Sequence, residues 1–169
     1  MGPGSKFVLR RDNQLGPRTK SGETALRNFL NPRLMPTTLK LLRILWPLPV
    51  TVIALLLAAI IRATGGRIEK HGIALETFGS VAPKILWLMN PWANIEAITL
   101  GHVIIARDVA TAKRLRAHEH THVRQYERWG VIFPFAYLVA SAIAVFKGGD
   151  AYRDNIFEVE AFDAALIKD

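Results

Sequence analysis

An uncharged stretch, ILWPLPVTVIALLLAAII at positions 44–61, constrains this chain more than any other feature. As a helix it rises about 27 Å, close to the roughly 30 Å thickness of a bilayer's hydrocarbon. A domain drawn from 169 residues has too little interior to surround such a helix on every side. Arg43 and Arg62 bracket the run, Trp46 suits an interfacial ring, and Gly65-Gly66 ends it. Pro47 and Pro49 fall in the first turn, where a missing amide donor costs little. A secretory signal peptide is the competing reading. It fits poorly, because the run begins more than forty residues into the chain and no small-x-small cleavage site follows. Residues 44–62 are therefore expected to form one transmembrane helix, crossing the membrane once.

The net charge of +8 is gathered ahead of that helix. Residues 1–43 carry nine Lys/Arg against two acids, residues 44–128 ten against six, and residues 129–169 three against six. Basic residues beside an apolar run answer anionic lipid headgroups and set orientation, which favours a cytoplasmic N-terminus. No zinc finger, aromatic RNA-binding signature or basic heptad helix accompanies the charge, so nucleic acid is set aside as a partner. The chain has no cysteine. That removes disulfides and thiolate metal sites, and leaves His, Asp and Glu as the available ligands.

Residues 1–43, rich in Gly, Pro, Arg and Lys, read as an extended basic arm. Beyond the apolar run the pattern becomes strand-like. Residues 67–70 and 73–77 flank His71-Gly72 as a tight hairpin, and residues 97–100 and 103–105 flank Gly101-His102 as another strand pair or one bulged strand. Asp108 is placed to cap a helix from residue 109 to about 129, which Gly130 closes. Residues 131–146 are apolar again, Lys147-Gly148-Gly149 breaks them, and a short last helix starts near Asn155.

The long helix carries His118-Glu119-His120-Thr121-His122. Residues four apart share a helix face, so His118 and His122 can offer two imidazoles to one ion. Glu119 stands near that ion without having to ligate it, where a general base must be to take a proton from an activated water. Lys113, Arg116, His120 and Arg124 form the opposite, basic stripe, with His120 pointing away from the ion. A catalytic zinc site needs a third protein ligand and one open position. Downstream, Glu158 and Glu160 are available. His71 and His102 read as turn residues, and Tyr126, Tyr152 and Arg153 are candidates for stabilising an oxyanion.

His118-Glu119-His120-Thr121-His122 followed by Glu158-Val159-Glu160-Ala161 resembles the gluzincin branch of zinc metallopeptidases. Residues 116–130 also resemble small bacterial membrane proteins of this type, which implies a bacterial inner-membrane location. The resemblance implies a zinc ion (Zn2+) held by His118, His122 and Glu158, with Glu119 as the catalytic base. In that family an Asp follows the ligand Glu by four positions and orients a ligand imidazole; here Phe162 stands in its place. Asp163, Asp154 or a backbone carbonyl is then expected to substitute.

The expected fold is α+β, a zincin-like domain over residues 63–169 with a small sheet and the His-Glu-x-x-His helix. The expected function is zinc-dependent hydrolysis of a peptide or protein substrate at a membrane, an edge strand over residues 97–105 holding the extended peptide. The alternative is a non-catalytic accessory subunit of a larger membrane complex. One topological demand follows. If residues 131–146 crossed a bilayer, His122 and Glu158 would emerge on opposite sides, so a shared ion requires that segment to stay on one side.

Overall fold

Two glycine turns and one capped helix organise the chain into a mixed α+β fold around a four-stranded sheet. The computed structural model describes residues 37–91 and 94–166; the expected arm over residues 1–36 lies outside them. In chain order come helices α1 (Thr37–Leu45) and α2 (Leu48–Ala63), strands β1 (Arg67–His71) and β2 (Ala74–Phe78), and helix α3 (Ala82–Met89). Strands β3 (Ala97–Leu100) and β4 (Val103–Ala106) follow, then helix α4 (Val109–Trp129), a 3-10 turn (Gly130–Ile132), helix α5 (Phe133–Phe146) and helix α6 (Ile156–Leu166).

The expected hairpin forms, and the second strand-like segment is a strand pair, not one bulged strand. β1 pairs antiparallel with β2 across Gly72, and β3 pairs antiparallel with β4 across Gly101. The two glycines have φ of 61° and 62°, a left-handed backbone that side chains disfavour. At Gly101 a Cβ would also strike Thr51. A parallel β2–β4 pairing joins the hairpins, giving the order β1-β2-β4-β3 and leaving β3 at an edge.

Period-two alternation then sends each strand's side chains to two different helical layers. Val103 and Ile105 pack with Ala54, Ala58 and Ile61 of α2 and Leu86 of α3. Ile104 turns the other way, onto Val123 of α4, and Ala106 meets Ala112. A third cluster beyond the sheet joins Tyr126 of α4 to Phe133 and Ala140 of α5 and Phe157 of α6, with Val50 of α2 against it.

Two expectations are revised. The uncharged run is not one helix: α1 ends at Leu45, the chain turns at Trp46-Pro47, and α2 restarts at Leu48. Proline lacks an amide donor and drives its predecessor out of helical backbone, which breaks the run at residue 46. Moreover, α2 lies on the sheet within the unit that starts at Leu41, not ahead of a domain that starts at residue 63.

Among the described residues, Val109–Phe146 is the one helical stretch long and apolar enough, by length and composition, to cross a membrane. It is not straight. At Gly130 the backbone has φ 58° and ψ −137°, which ends α4 and redirects the chain into α5. Phe133, Ala140 and Ala144 of α5 are buried against the domain, and residues on either side of α5 meet in one cluster, described next.

Candidate metal centre

Helix α4 starts and stops as its sequence requires. The Asp108 side chain accepts a 2.8 Å hydrogen bond from the Thr111 amide, and Gly130 ends the helix with positive φ. One row of the sheet then sets the helix's rotation. Glu76 of β2, Ile104 of β4 and Thr99 of β3 stand side by side in register and all face α4. Thr99 Oγ1 donates to Glu119 Oε2 at 2.6 Å, Ile104 packs on Val123, and Glu76 receives two 2.8 Å bonds from Arg116. With these anchors, His118 and His122 point toward α6.

There they meet Glu158. His118 Nε2 lies 3.1 Å from His122 Nε2 and 3.1 Å from Glu158 Oε2, and His122 Nε2 lies 3.4 Å from Glu158 Oε1. Ligand atoms 2.0–2.1 Å from a tetrahedral zinc are spaced about 3.3 Å apart, so the three donors stand where such an ion would hold them. All three residues are buried, and their donor atoms fall within 4.8 Å of one another. Glu158 Oε2 is buried with no hydrogen-bond partner besides the His118 imidazole. A lone pair left so is costly, and a cation between it and the imidazoles satisfies it. The residues therefore fit a metal ion.

Burial alone would raise the Glu158 carboxyl, yet hydrogen bonds from His118, His122 and Tyr137 and the His122 charge hold it down at about 2. Tyr137 donates to Glu158 Oε1 at 2.6 Å from the inner side of α5. Burial opposes a charge on His122, but Glu158, Glu119 and Gln125 outweigh it and raise that imidazole.

Gln125 was not singled out by the sequence. It is 0% exposed and its Nε2 donates to the Phe157 carbonyl at 2.9 Å. A carbonyl only accepts, so this bond fixes the amide and presents Oε1 to His122 Nδ1 at 2.7 Å. Nδ1 therefore keeps its proton, and the neutral imidazole that a metal requires has its lone pair on Nε2, facing the cluster. This is the orienting role expected of an acid in α6. Among the described residues no hydrogen bond joins Asp154 or Asp163 to either imidazole; Asp154 instead accepts from the Asp150 amide. Phe162, at the family's Asp position, lies against His118 with ring centroids 4.9 Å apart. The glutamine sits one turn along α4, at a helical spacing that could have flagged it.

The other candidates separate cleanly. Glu160 pairs with Arg128 at 2.6 Å on the surface and receives Gln125 Nε2 at 3.0 Å, away from the donor cluster. Arg116 and His120, expected on an exposed basic stripe, instead turn to the sheet and pair with Glu76; Lys113 and Arg124 are exposed. His71 belongs to that same Glu76 network. His102 is buried against Thr51 with Nε2 at 3.9 Å from Glu127. Tyr126 packs into the aromatic cluster against Phe133. Of the oxyanion candidates, Tyr152 lies edge-on to Phe162 with ring centroids 5.7 Å apart, and burial, then the charges of Glu158 and Glu119, push its hydroxyl up. The Arg153 amide is taken by Asp150.

Compared with known proteins, the chain matches no family model, no curated protein and no solved structure.

Proposed function

We propose that this chain is a membrane-attached, zinc-dependent peptide hydrolase of the gluzincin type, attached through the uncharged run at residues 44–62. The observation that carries the reading is the convergence of His118, His122 and Glu158 with a non-ligating carboxylate, Glu119, next in sequence to one of them. A zinc ion there would supply a Lewis acid and make a water nucleophilic near neutral pH. Glu119 accepts the proton of the attacking water and passes it to the leaving amine. Thr99 holds one oxygen of that carboxylate at 2.6 Å and leaves the other for this work. Tyr152 faces the negative centre and can donate to the oxygen that gains charge. Gln125 and Tyr137 keep His122 and Glu158 in place. β3, the edge strand beside α4, offers unpaired backbone to an extended peptide.

Glu119→Gln tests this reading. It keeps the side-chain shape and the Thr99 contact, so zinc content should be unchanged while cleavage of a peptide library falls about 10²–10⁴-fold, the worth of a positioned general base. A variant as active as the parent would remove Glu119 as the base, and a zinc-loaded parent that cuts no peptide would place the protein with accessory subunits that keep a metallopeptidase-like site.

A further inference from the structure

Apart from Ile61, which is buried at its C-terminal end, helix α2 buries small side chains and turns large ones outward. Thr51, Ala54 and Ala58 are buried on the sheet, whereas Val52, Ile53, Leu56 and Ile60 stand 47%, 60%, 63% and 51% exposed. α5 repeats the arrangement. Past Phe133, which is buried in the first turn, Ala140 and Ala144 are buried, while Phe135, Leu138, Val139 and Phe146 stand 69%, 65%, 59% and 91% exposed. A surface helix in water carries polar side chains on its outer face. Small residues at the packed face and large apolar ones outside suit a helix whose outer solvent is lipid.

The two apolar faces meet at one corner. Trp46 covers Gly130 there, and Val50 of α2 packs on the same buried cluster as Ala136 and Tyr137 of α5. Trp46 and Trp129 are both about half exposed at that corner, and indole rings settle at the depth of lipid headgroups. The charges that bracket these faces, Arg43, Arg62 and Lys147, are all basic, which complements an anionic surface. A protein partner would call for a polar rim and hydrogen-bonding groups among the apolar ones; from Leu48 to Ile61 and from Phe133 to Phe146 the two helices carry no charged side chain.

The direction of α2 is also constrained. It touches the sheet at both ends, Thr51 beside Gly101 and Ile61 beside Gly66. Crossing a bilayer end-on would carry the sheet into hydrocarbon, with exposed Arg67 and Lys70 and the Glu76–Arg116 pair. A helix held along its length by a charged sheet lies in the membrane plane.

We propose that the unit from Leu41 onward docks flat in the interface of an anionic bilayer through the outer faces of α2 and α5. Tyr137, on the inner side of α5, holds Glu158, so the metal ligands lie one helix away from lipid. Given the hydrolase reading, on which this clause rests, the substrate is the juxtamembrane stretch of a protein anchored in the same bilayer.

The absence of native cysteine makes the orientation measurable. Full-length protein carrying Lys40→Cys, in α1 ahead of α2, or Ala63→Cys, at the end of α2, is bound to sealed vesicles of phosphatidylglycerol and phosphatidylcholine. A membrane-impermeant maleimide is then added from outside. Both positions should label to the same extent, with no increase on adding detergent. One position that labels only after detergent means a crossing helix and overturns the proposal. Leu56→Glu and Leu138→Glu should each reduce flotation with these vesicles at least tenfold while zinc content is retained, and undiminished flotation of either overturns it. Equal flotation on pure phosphatidylcholine removes the role of the basic residues and overturns the anionic claim. Zinc without flotation refutes docking alone, whereas flotation without zinc refutes the hydrolase alone.

Discussion

Gln125→Ala is the perturbation that follows most directly from the geometry of the centre. The wild-type amide bridges His122 Nδ1 at 2.7 Å and the Phe157 carbonyl at 2.9 Å, tying a ligand on α4 to the element that carries Glu158. Removing it frees the imidazole to rotate and to take the wrong tautomer. Loss of an outer partner of a ligating histidine typically costs 10–100-fold in metal affinity, about 1.4–2.7 kcal/mol. Gln125 is 0% exposed, so the buried bonds lost add a fold-stability penalty of about 1–3 kcal/mol. Zinc affinity measured by competition with a chromophoric chelator checks the first figure, and urea unfolding of the metal-free proteins checks the second. Gln125→Glu separates the two roles. It still accepts from His122 but sets a carboxylate against the Phe157 carbonyl and beside Glu160 Oε2, 3.0 Å from the present amide nitrogen. That variant should bind zinc more tightly than Gln125→Ala and be no more stable. Zinc affinity within twofold of wild type for a folded Gln125→Ala would refute the orienting role.

Arg116→Ala should destabilise the protein by about 1.5–2 kcal/mol at pH 7, a charged hydrogen-bond pair discounted because the Arg116 side chain is 33% exposed. Burial pushes the Glu76 carboxyl up, and Arg116 with His120 and His71 more than reverses this, so the contribution is full above about pH 4.5 and fades as pH falls through the lowered value. Unfolding curves across that range should show the two proteins converging in acid; a gap that widened there would contradict the sign. Gly130→Ala should cost about 2–4 kcal/mol in the same assay, because φ is 58° and the new methyl strikes the Trp46 indole. A variant as stable as wild type would show that α5 is not aimed by this turn.

Much of the centre was legible because its signals are local. The Asp108 cap, the Gly130 stop and the four-residue spacing of His118 and His122 each depend on a few neighbouring residues, and both hairpins are announced by a glycine between strand-like runs. What escaped depends on residues far apart in the chain. Nothing near Gln125 says that the Phe157 carbonyl will orient its amide, and nothing near Thr99 says that it will face Glu119. The basic stripe misled for the same reason: Arg116 and His120 read as solvated until Glu76, forty and forty-four residues earlier, supplies their partner. The parallel β2–β4 pairing, separated by α3 and β3, has no local signature at all. For α2 the length and hydropathy of the run pointed to lipid, but its alternation of alanine and large aliphatic positions is what seats one face on the sheet.

The central claim is that His118, His122 and Glu158 hold one zinc ion. Elemental analysis of full-length protein purified without chelator, beside His122→Ala, Glu158→Ala and Glu160→Ala, addresses it directly. The account predicts one zinc per chain in the wild type and in Glu160→Ala, none in His122→Ala, and a marked loss in Glu158→Ala. Zinc-free wild type after purification in zinc-supplemented buffer, or equal zinc in all four proteins, would contradict it.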